Sequence, residues 1–545
     1  MTSTSAVPPL APTPLVAPVI VGARPLSPAE VVAVARDDAR VQIAPAAGAR
    51  VNATRELIER LADDPEPHYG ISTGFGALAT TFIAPDRRRQ LQASLIRSHA
   101  AGTGAEVERE VVRALHLLRL QTLATGRTGV RPVVVATYAA MLNAGITPIV
   151  REYGSLGCSG DLAPLSHIAL AALGEGEVRD ASGALVAASD ALAVAGIAPL
   201  VLEEKEGLAL INGTDGMLGM LSLALADLDN LLTVADVTAA ISVESQLGTD
   251  AVFAADLMAL RPQTGQAASA ANLRAFLADS PIVASHRDPA VCTRVQDAYS
   301  LRCSPQVHGA ARDTLDHARM VASRELAAAV DNPVVTVDGR VESNGNFHGA
   351  PVAYVLDFLA IAVADLASIA ERRTDRALDR TRSNGLPPFL ADEVGVDSGL
   401  MIAQYAAAGI VSELKRLAVP ASVDSIPSSA MQEDHVSMGW AAARKLRRGI
   451  DGLARVLAIE LVTGCRALDL RAPLQPGPAT AAVRDAVRAA GIAGPGPDRF
   501  VSPDLESATA LVLSGAVAAA AVSAASFTTP ENRPAFEEDD DHIAR

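Results

Sequence analysis

The chain has 545 residues and a formal net charge of −16. That acidity argues against a nucleic-acid partner or an anionic membrane surface, while the length is ample for a large core. Hydrophobic residues make up 49% of the sequence but aromatics only 3%, so the core must be aliphatic, and its Ala- and Leu-rich stretches favour helix packed on helix.

In chain order, residues 1–25 are rich in Pro, Ala, Ser and Thr and read as a disordered tail. Ser27-Pro28-Ala29-Glu30 has the pattern of a capping box with proline in the first turn, so a helix begins there. A second helix is expected over Thr54 to Ala62. His68 to Phe82 is rich in Gly, Ser and Thr, has no helical period and reads as a loop. Helical patterns resume near Asp86 and again from Val107 to about Ala144. Glu177 to Leu202 reads as short hairpin strands. The runs 217–246, 350–380 and 434–464 exceed ordinary globular helices and predict a bundle of long helices. Their apolar residues spread widely round the helix, which points to burial on several sides and an oligomer. Pro473, Pro476 and Pro478 close that region. The apolar run Ala508 to Ala525 is flanked by acids rather than Lys or Arg and reads as a buried helix, not a membrane span. Glu537 to Asp541 reads as a solvated tail. The predicted division is therefore a tail (1–25), an N-terminal domain (26–216), a central long-helix bundle (217–475) and a C-terminal helical segment with an acidic end (476–545).

Four cysteines, Cys158, Cys292, Cys303 and Cys465, show no CxxC spacing and fit free thiols in a reducing cytosol. The N-terminus lacks the basic n-region of a signal peptide, so a cytoplasmic location is expected. No zinc spacing, Walker pattern or βαβ dinucleotide fingerprint occurs, so neither a metal nor a nucleotide is expected.

The stretch Gly154-Ser155-Leu156-Gly157-Cys158-Ser159-Gly160-Asp161-Leu162-Ala163-Pro164-Leu165 carries the chemistry. A serine between a small residue and a glycine can lose its side-chain oxygen after backbone closure. The glycine nitrogen attacks the carbonyl of the residue before the serine, two waters leave, and a 4-methylideneimidazol-5-one (MIO) results. That ring is an electrophile, which no ordinary side chain supplies. Glycine is needed because its nitrogen must approach closely and its backbone must bend sharply. Asp161 is placed to assist proton transfers during cyclisation. Ala181-Ser182-Gly183 repeats the triad type but sits in a polar stretch between two short alternating runs, where a surface turn is the better reading.

With these flanks the stretch resembles the signature of the MIO-dependent aromatic amino acid ammonia-lyases, and of their histidine-acting members in particular. The common form has Ala where this chain has Cys158. The resemblance runs from about Tyr69 to about Pro473. It implies a mainly α fold, a long-helix bundle of the fumarase/aspartase-like type with a small β-hairpin element. It also implies a homotetramer whose active sites draw on more than one chain and act on a small amino-acid substrate.

The resemblance assigns roles residue by residue. Tyr69, in the glycine-rich Tyr69-Gly70-Ile71-Ser72-Thr73-Gly74 string, removes the substrate β-proton. Its ordinary pKa near 10 means that its surroundings must help. Cys158, Ser159 and Gly160 form the MIO, which takes up the substrate amine. Asn212, before Gly213, hydrogen-bonds the MIO carbonyl and steadies developing negative charge. Gln296 and Tyr299 touch the MIO and substrate, and Arg302 grips the substrate carboxylate with its planar fork. Phe347, in Asn344-Gly345-Asn346-Phe347-His348, packs against the MIO; His348 reads as structural.

Ser98-His99 is the histidine-lyase form of a pair that is Phe-Leu in phenylalanine enzymes and His-Leu in tyrosine enzymes. Glu433 stands where the phenylalanine and tyrosine enzymes have Gln, and a carboxylate opposite an imidazole can hold it or trade a proton with it. Asp215 and Met431 depart from the family's usual Gln and Asn. The expected reaction is elimination of ammonia from L-histidine to give trans-urocanate. The alternatives are a tyrosine or phenylalanine ammonia-lyase, an MIO aminomutase, or a catalytically silent scaffold paralogue.

Overall fold

A computed structural model describes residues 17–64, 66, 68, 70–74, 81–288, 292 and 294–525. Among the described residues are twenty α-helices and nine strands of two to four residues, so the protein is mainly α as composition predicts. It divides into two compact units, each discontinuous in sequence. The first comprises residues 1–226, 317–358 and 420–447; the second comprises 227–316, 359–419 and 448–545.

The first unit is centred on the helix Arg109–Ala124, in which every residue from Val111 onward is buried. Arg119 is wholly buried there. Its guanidinium donates to the carbonyls of Ala209, Asn212 and Val330 and to the Asp215 carboxylate at 2.6 Å. A second buried pair, Lys205 with Asp331 at 2.5 Å, lies in the same unit. Burial pulls the Lys205 ammonium down and pushes the Asp331 carboxyl up, so each offsets the other's desolvation.

Local signals decide where these helices begin and end. Ser27 caps the helix Pro28–Arg36 with both limbs of the capping box: its hydroxyl accepts from Glu30 N–H, and the Glu30 carboxylate accepts from Ser27 N–H. The second helix starts earlier than its pattern predicts, at Pro45 rather than Thr54, because Pro45 occupies its first turn and Ala47 and Val51 are buried. The helical pattern from Val107 to Ala144 is two helices, Arg109–Ala124 and Pro132–Asn143. Gly126 and Gly129 sit between them at positive φ (72° and 75°), and Pro132 opens the second.

Within the stretch read as an N-terminal tail, Val19–Val21 forms a strand paired in parallel with Val41–Ile43, and Val19 and Val21 are buried. Two apolar anchors suffice to fix a strand that composition alone hides. The hairpin expected after Glu177 is present, with Val178 opposite Val186, and Ala181 to Gly183 forms its turn. The rest of that segment is not strand: Ala188–Val194 is a short alanine-rich helix that ends before Gly196 at positive φ.

In the second unit the long helices are laced by buried ions. Glu460 accepts from the Arg373 guanidinium at 2.5 and 2.9 Å and from the Ser242 hydroxyl at 2.7 Å. Asp236 accepts from Ser269, Asn272, His308 and Arg312. Burial pushes its carboxyl up, but Arg312 and the hydrogen bonds from His308 and Ser269 outweigh that and hold it at about 2.

The predicted long helices are observed at Asp215–Ser245, Ala350–Leu378 and Gly439–Asp469. The third starts later than its pattern, because Met438 adopts positive φ (53°) just before it. The first two are long and apolar enough to cross a membrane, but 72% and 61% of their most apolar stretches are buried inside the protein. The run Ala508 to Ala525 is not one buried helix. Ser502–Leu513 and Ala516–Ala524 meet at 66°, broken at Gly515, and Leu513 and Val522 are exposed.

Candidate active site

Glycine geometry shapes the turn that carries the triad. Gly157 and Gly160 both adopt positive φ (67° and 73°). A side chain at Gly160 would collide with the Gly213 carbonyl, and Gly160 pairs with Gly213 in a parallel bridge. Only glycine fits that position. The bridge seats Asn212 beside the triad, at the end of the helix Glu206–Ile211. The Asn212 amide donates to the Asn332 carbonyl at 3.1 Å, while its Oδ1 is buried and has no partner among the described residues.

Three further contacts pin the turn. Gly349 N–H donates to the Gly157 carbonyl at 3.2 Å, and the Ser437 hydroxyl donates to the same oxygen at 2.9 Å. Met438 N–H donates to Leu156 at 2.8 Å. The first of these ties Phe347, half-buried two residues away, to the triad segment.

Asp161 follows the triad and is fully buried. It stands at the start of the helix Leu162–Ala172 but does not cap it. Its Oδ2 instead accepts the Gly216 and Met217 N–H groups, both at 2.9 Å, at the start of the helix Asp215–Ser245. Its Oδ1 accepts from the Ser155 hydroxyl at 2.8 Å. Those donors favour the anion, yet burial outweighs them and pushes the carboxyl up to about 7. A group poised there can both take and give a proton near neutral pH.

Glu433 faces the triad from a segment more than 270 residues away. It accepts from the Cys158 thiol at 3.1 Å and from the Ser159 hydroxyl at 3.4 Å. The Ser428 hydroxyl donates to it at 2.8 Å, and Ser428 and Glu433 form an antiparallel backbone bridge. Between them Ser429, Ala430 and Met431 all have positive φ (49°, 52° and 71°). That conformation suits Asn better than Met, which is the physical content of the departure at Met431.

His99 ends the helix Pro85–His99, and its Nδ1 lies 2.9 Å from the Leu95 carbonyl. A carbonyl only accepts, so Nδ1 carries the proton and Nε2 is left with its lone pair. Burial lowers the His99 pKa, which keeps the ring neutral; the Glu433 charge opposes this more weakly. The neighbouring Ser98 is exposed, and its hydroxyl donates to the same Leu95 carbonyl. His99, Cys158, Gly160 and Glu433 line one cavity of about 340 Å³, together with Ser155 and Ser428. Neither serine was singled out in the sequence. Each is an ordinary loop residue whose role appears only through its partner, Asp161 or Glu433.

Gln296, Tyr299 and Arg302 belong to the second unit, where Arg302 donates to Gln296 at 2.8 Å and stands over the Tyr299 ring at 4.7 Å. Tyr299 is 72% exposed. Tyr69 lies outside the described residues. No cluster of three or more His, Cys, Asp or Glu suited to a metal occurs among the described residues.

Comparison with known proteins extends this picture. Residues 26–489 match the model of the aromatic amino acid lyase family. A histidine ammonia-lyase of Streptomyces coelicolor is 64% identical over 505 residues, 93% of this chain and 98% of that protein. Histidine ammonia-lyase from Trypanosoma cruzi superposes with a TM-score of 0.85 at 38% identity, covering 92% of this chain and 95% of that one. Tyrosine aminomutase from Streptomyces globisporus gives 0.88 at 37% identity, covering 94% and 99%. The family match takes in the glycine-shaped triad, the Asn212–Gly213 junction and Glu433 together, and the chain belongs to the aromatic amino acid lyase family.

Proposed function

We propose that this carbon–nitrogen lyase removes ammonia from L-histidine to give trans-urocanate. The observation that carries the reading is the shared cavity: His99, whose Nε2 keeps its lone pair, and the Glu433 carboxylate both line it beside Cys158 and Gly160. A neutral His99 accepts an imidazole N–H, and Glu433 holds or trades a proton with the ring's other nitrogen. The 64% identity to a histidine ammonia-lyase supports the same substrate.

The triad residues fit an MIO. Gly160 has the positive φ and crowding that only glycine tolerates, and Asp161 beside it is buried and proton-poised. Cys158, Ser159 and Gly160 would form the ring, and Asn212, with Gln296, would bind it. Once formed, that ring supplies an electrophile for the substrate amine and makes ammonia a better leaving group. Tyr69 removes the β-proton. Arg302 grips the carboxylate through two parallel hydrogen bonds, with Tyr299 beside it. Phe347 keeps the site dry, and Ser98 helps to seat the imidazole. We assign the working enzyme to a cytoplasmic homotetramer with active sites shared between chains, needing neither metal nor nucleic acid.

The likeness to a tyrosine aminomutase keeps aminomutation as the second reading, since that reaction begins with the same elimination. Intact-mass measurement tests the first step. Purified protein should be lighter than its sequence by two waters, and Ser159→Ala should show its full mass. Full mass in the unaltered protein would end this reading.

A further inference from the structure

We propose that Cys158 is a positioning residue for Glu433: together with Ser428 it anchors one carboxylate oxygen, Oε2, and leaves Oε1 for the substrate ring. The inference rests on the reading of Glu433 as the imidazole partner.

The two oxygens of Glu433 are held differently. Oε2 receives the Cys158 thiol at 3.1 Å and the Ser428 hydroxyl at 2.8 Å. Among the described residues, Oε1 receives only the longer 3.4 Å contact from the Ser159 hydroxyl. The chemistry of ring closure separates them further. Loss of two waters consumes the Ser159 oxygen, so the donor to Oε1 disappears. The Cys158 side chain and Ser428 are untouched by that reaction, so both donors to Oε2 persist. Maturation thereby exposes one oxygen of a carboxylate whose other oxygen stays fixed.

Ser428 is itself held rigidly. Its N–H donates to the Glu433 carbonyl at 2.9 Å, and it receives the Glu433 N–H at 3.3 Å. The thiol remains a donor at working pH, because burial and the adjacent carboxylate push it up to about 12. A thiol is a weak donor to a neutral acceptor, but here it meets a carboxylate. The alanine common at this position has no donor to offer, so this arrangement belongs to the Cys-bearing form of the triad.

The test compares Cys158→Ala, Cys158→Ser, Ser428→Ala and the double Cys158→Ala/Ser428→Ala variant in the full-length enzyme. All should retain the two-water mass deficit. Cys158→Ala should lower kcat/KM for L-histidine roughly fivefold, the scale of one modest hydrogen bond. Cys158→Ser should restore it, and the double variant should be non-additive, since two donors share one oxygen.

Cys158→Ala with unchanged kcat/KM, or a loss that Cys158→Ser does not restore, would overturn the proposal. So would a missing mass deficit in that variant, which would place the side chain in ring formation instead. Glu433→Gln separates the two levels: undiminished histidine turnover there refutes the parent reading, whereas a large loss there with an unaffected Cys158→Ala refutes only the positioning role.

Discussion

Replacing Glu433 with glutamine probes substrate choice without emptying the site. The amide has nearly the same shape, and the hydroxyl and thiol that now donate to the carboxylate can rotate to accept from the new NH₂ group. The fold of the loop from Ser428 to Glu433 should therefore persist. What is lost is the charge opposite the substrate imidazole. A hydrogen bond to a charged group contributes about 1.5–3 kcal/mol, which corresponds to about tenfold to about 150-fold in kcat/KM. The lower half of that range applies if the carboxylate stays partly wet, the upper half if substrate seals the 340 Å³ cavity. The assay is ultraviolet product formation with ammonia release, run on L-histidine, L-phenylalanine and L-tyrosine. Histidine should lose the full factor, while any residual turnover of the other two should change less than about threefold. Equal losses on all three would show that Glu433 serves the common chemistry rather than the imidazole.

Other outcomes follow from the same geometry. Asp161→Asn should flatten the pH dependence of stability. With its carboxyl at about 7 against an ordinary 3.8, the folded state binds more protons than the unfolded between those values, so stability falls as pH rises through that window and levels above it. Urea melts at about pH 5 and about pH 8 should show this slope in the parent and not in the variant; an unchanged slope would refute the assignment. Arg119→Met should destabilise by about 3–5 kcal/mol, because it strands the buried Asp215 charge; denaturation midpoints within error of the parent would contradict the buried network. Gly160→Ala should leave the chain at full mass, since its φ of +73° and the Gly213 carbonyl admit no side chain; a two-water deficit there would be inconsistent with the crowding.

What the sequence made legible was local. The Ser27–Glu30 capping box, the hairpin with Val178 opposite Val186, and the long apolar helices each follow from residues within a few turns of one another. The Cys158–Asp161 motif was legible for the same reason, since ring chemistry needs three consecutive residues. The break between Arg109–Ala124 and Pro132–Asn143 was signalled by Gly126, Gly129 and Pro132, but the strong apolar pattern on both sides masked it. The strand Val19–Val21 was hidden by its Pro- and Ala-rich surroundings, because its stability comes from a partner at Val41–Ile43.

Long-range partners were not legible at all. Nothing near Ser428 or Ser155 marks them as donors to Glu433 and Asp161. The sequence pointed to Glu433 through resemblance, but not to its contact with Cys158 and Ser159 across more than 270 positions. Likewise, no pattern in Asn212-Gly213 reveals that Gly213 pairs with Gly160. Sites of this kind are assembled by tertiary structure from loops, and each loop alone resembles many others.

One experiment separates histidine elimination from its alternatives. Purified protein is incubated in parallel with L-histidine, L-tyrosine and L-phenylalanine, and ultraviolet absorbance and ammonia are recorded together. Urocanate and equimolar ammonia are expected from histidine, with little or nothing from the other two. Coumarate or cinnamate instead would preserve the elimination chemistry but contradict the roles of His99 and Glu433, and absence of ammonia from all three would contradict ammonia elimination by this protein.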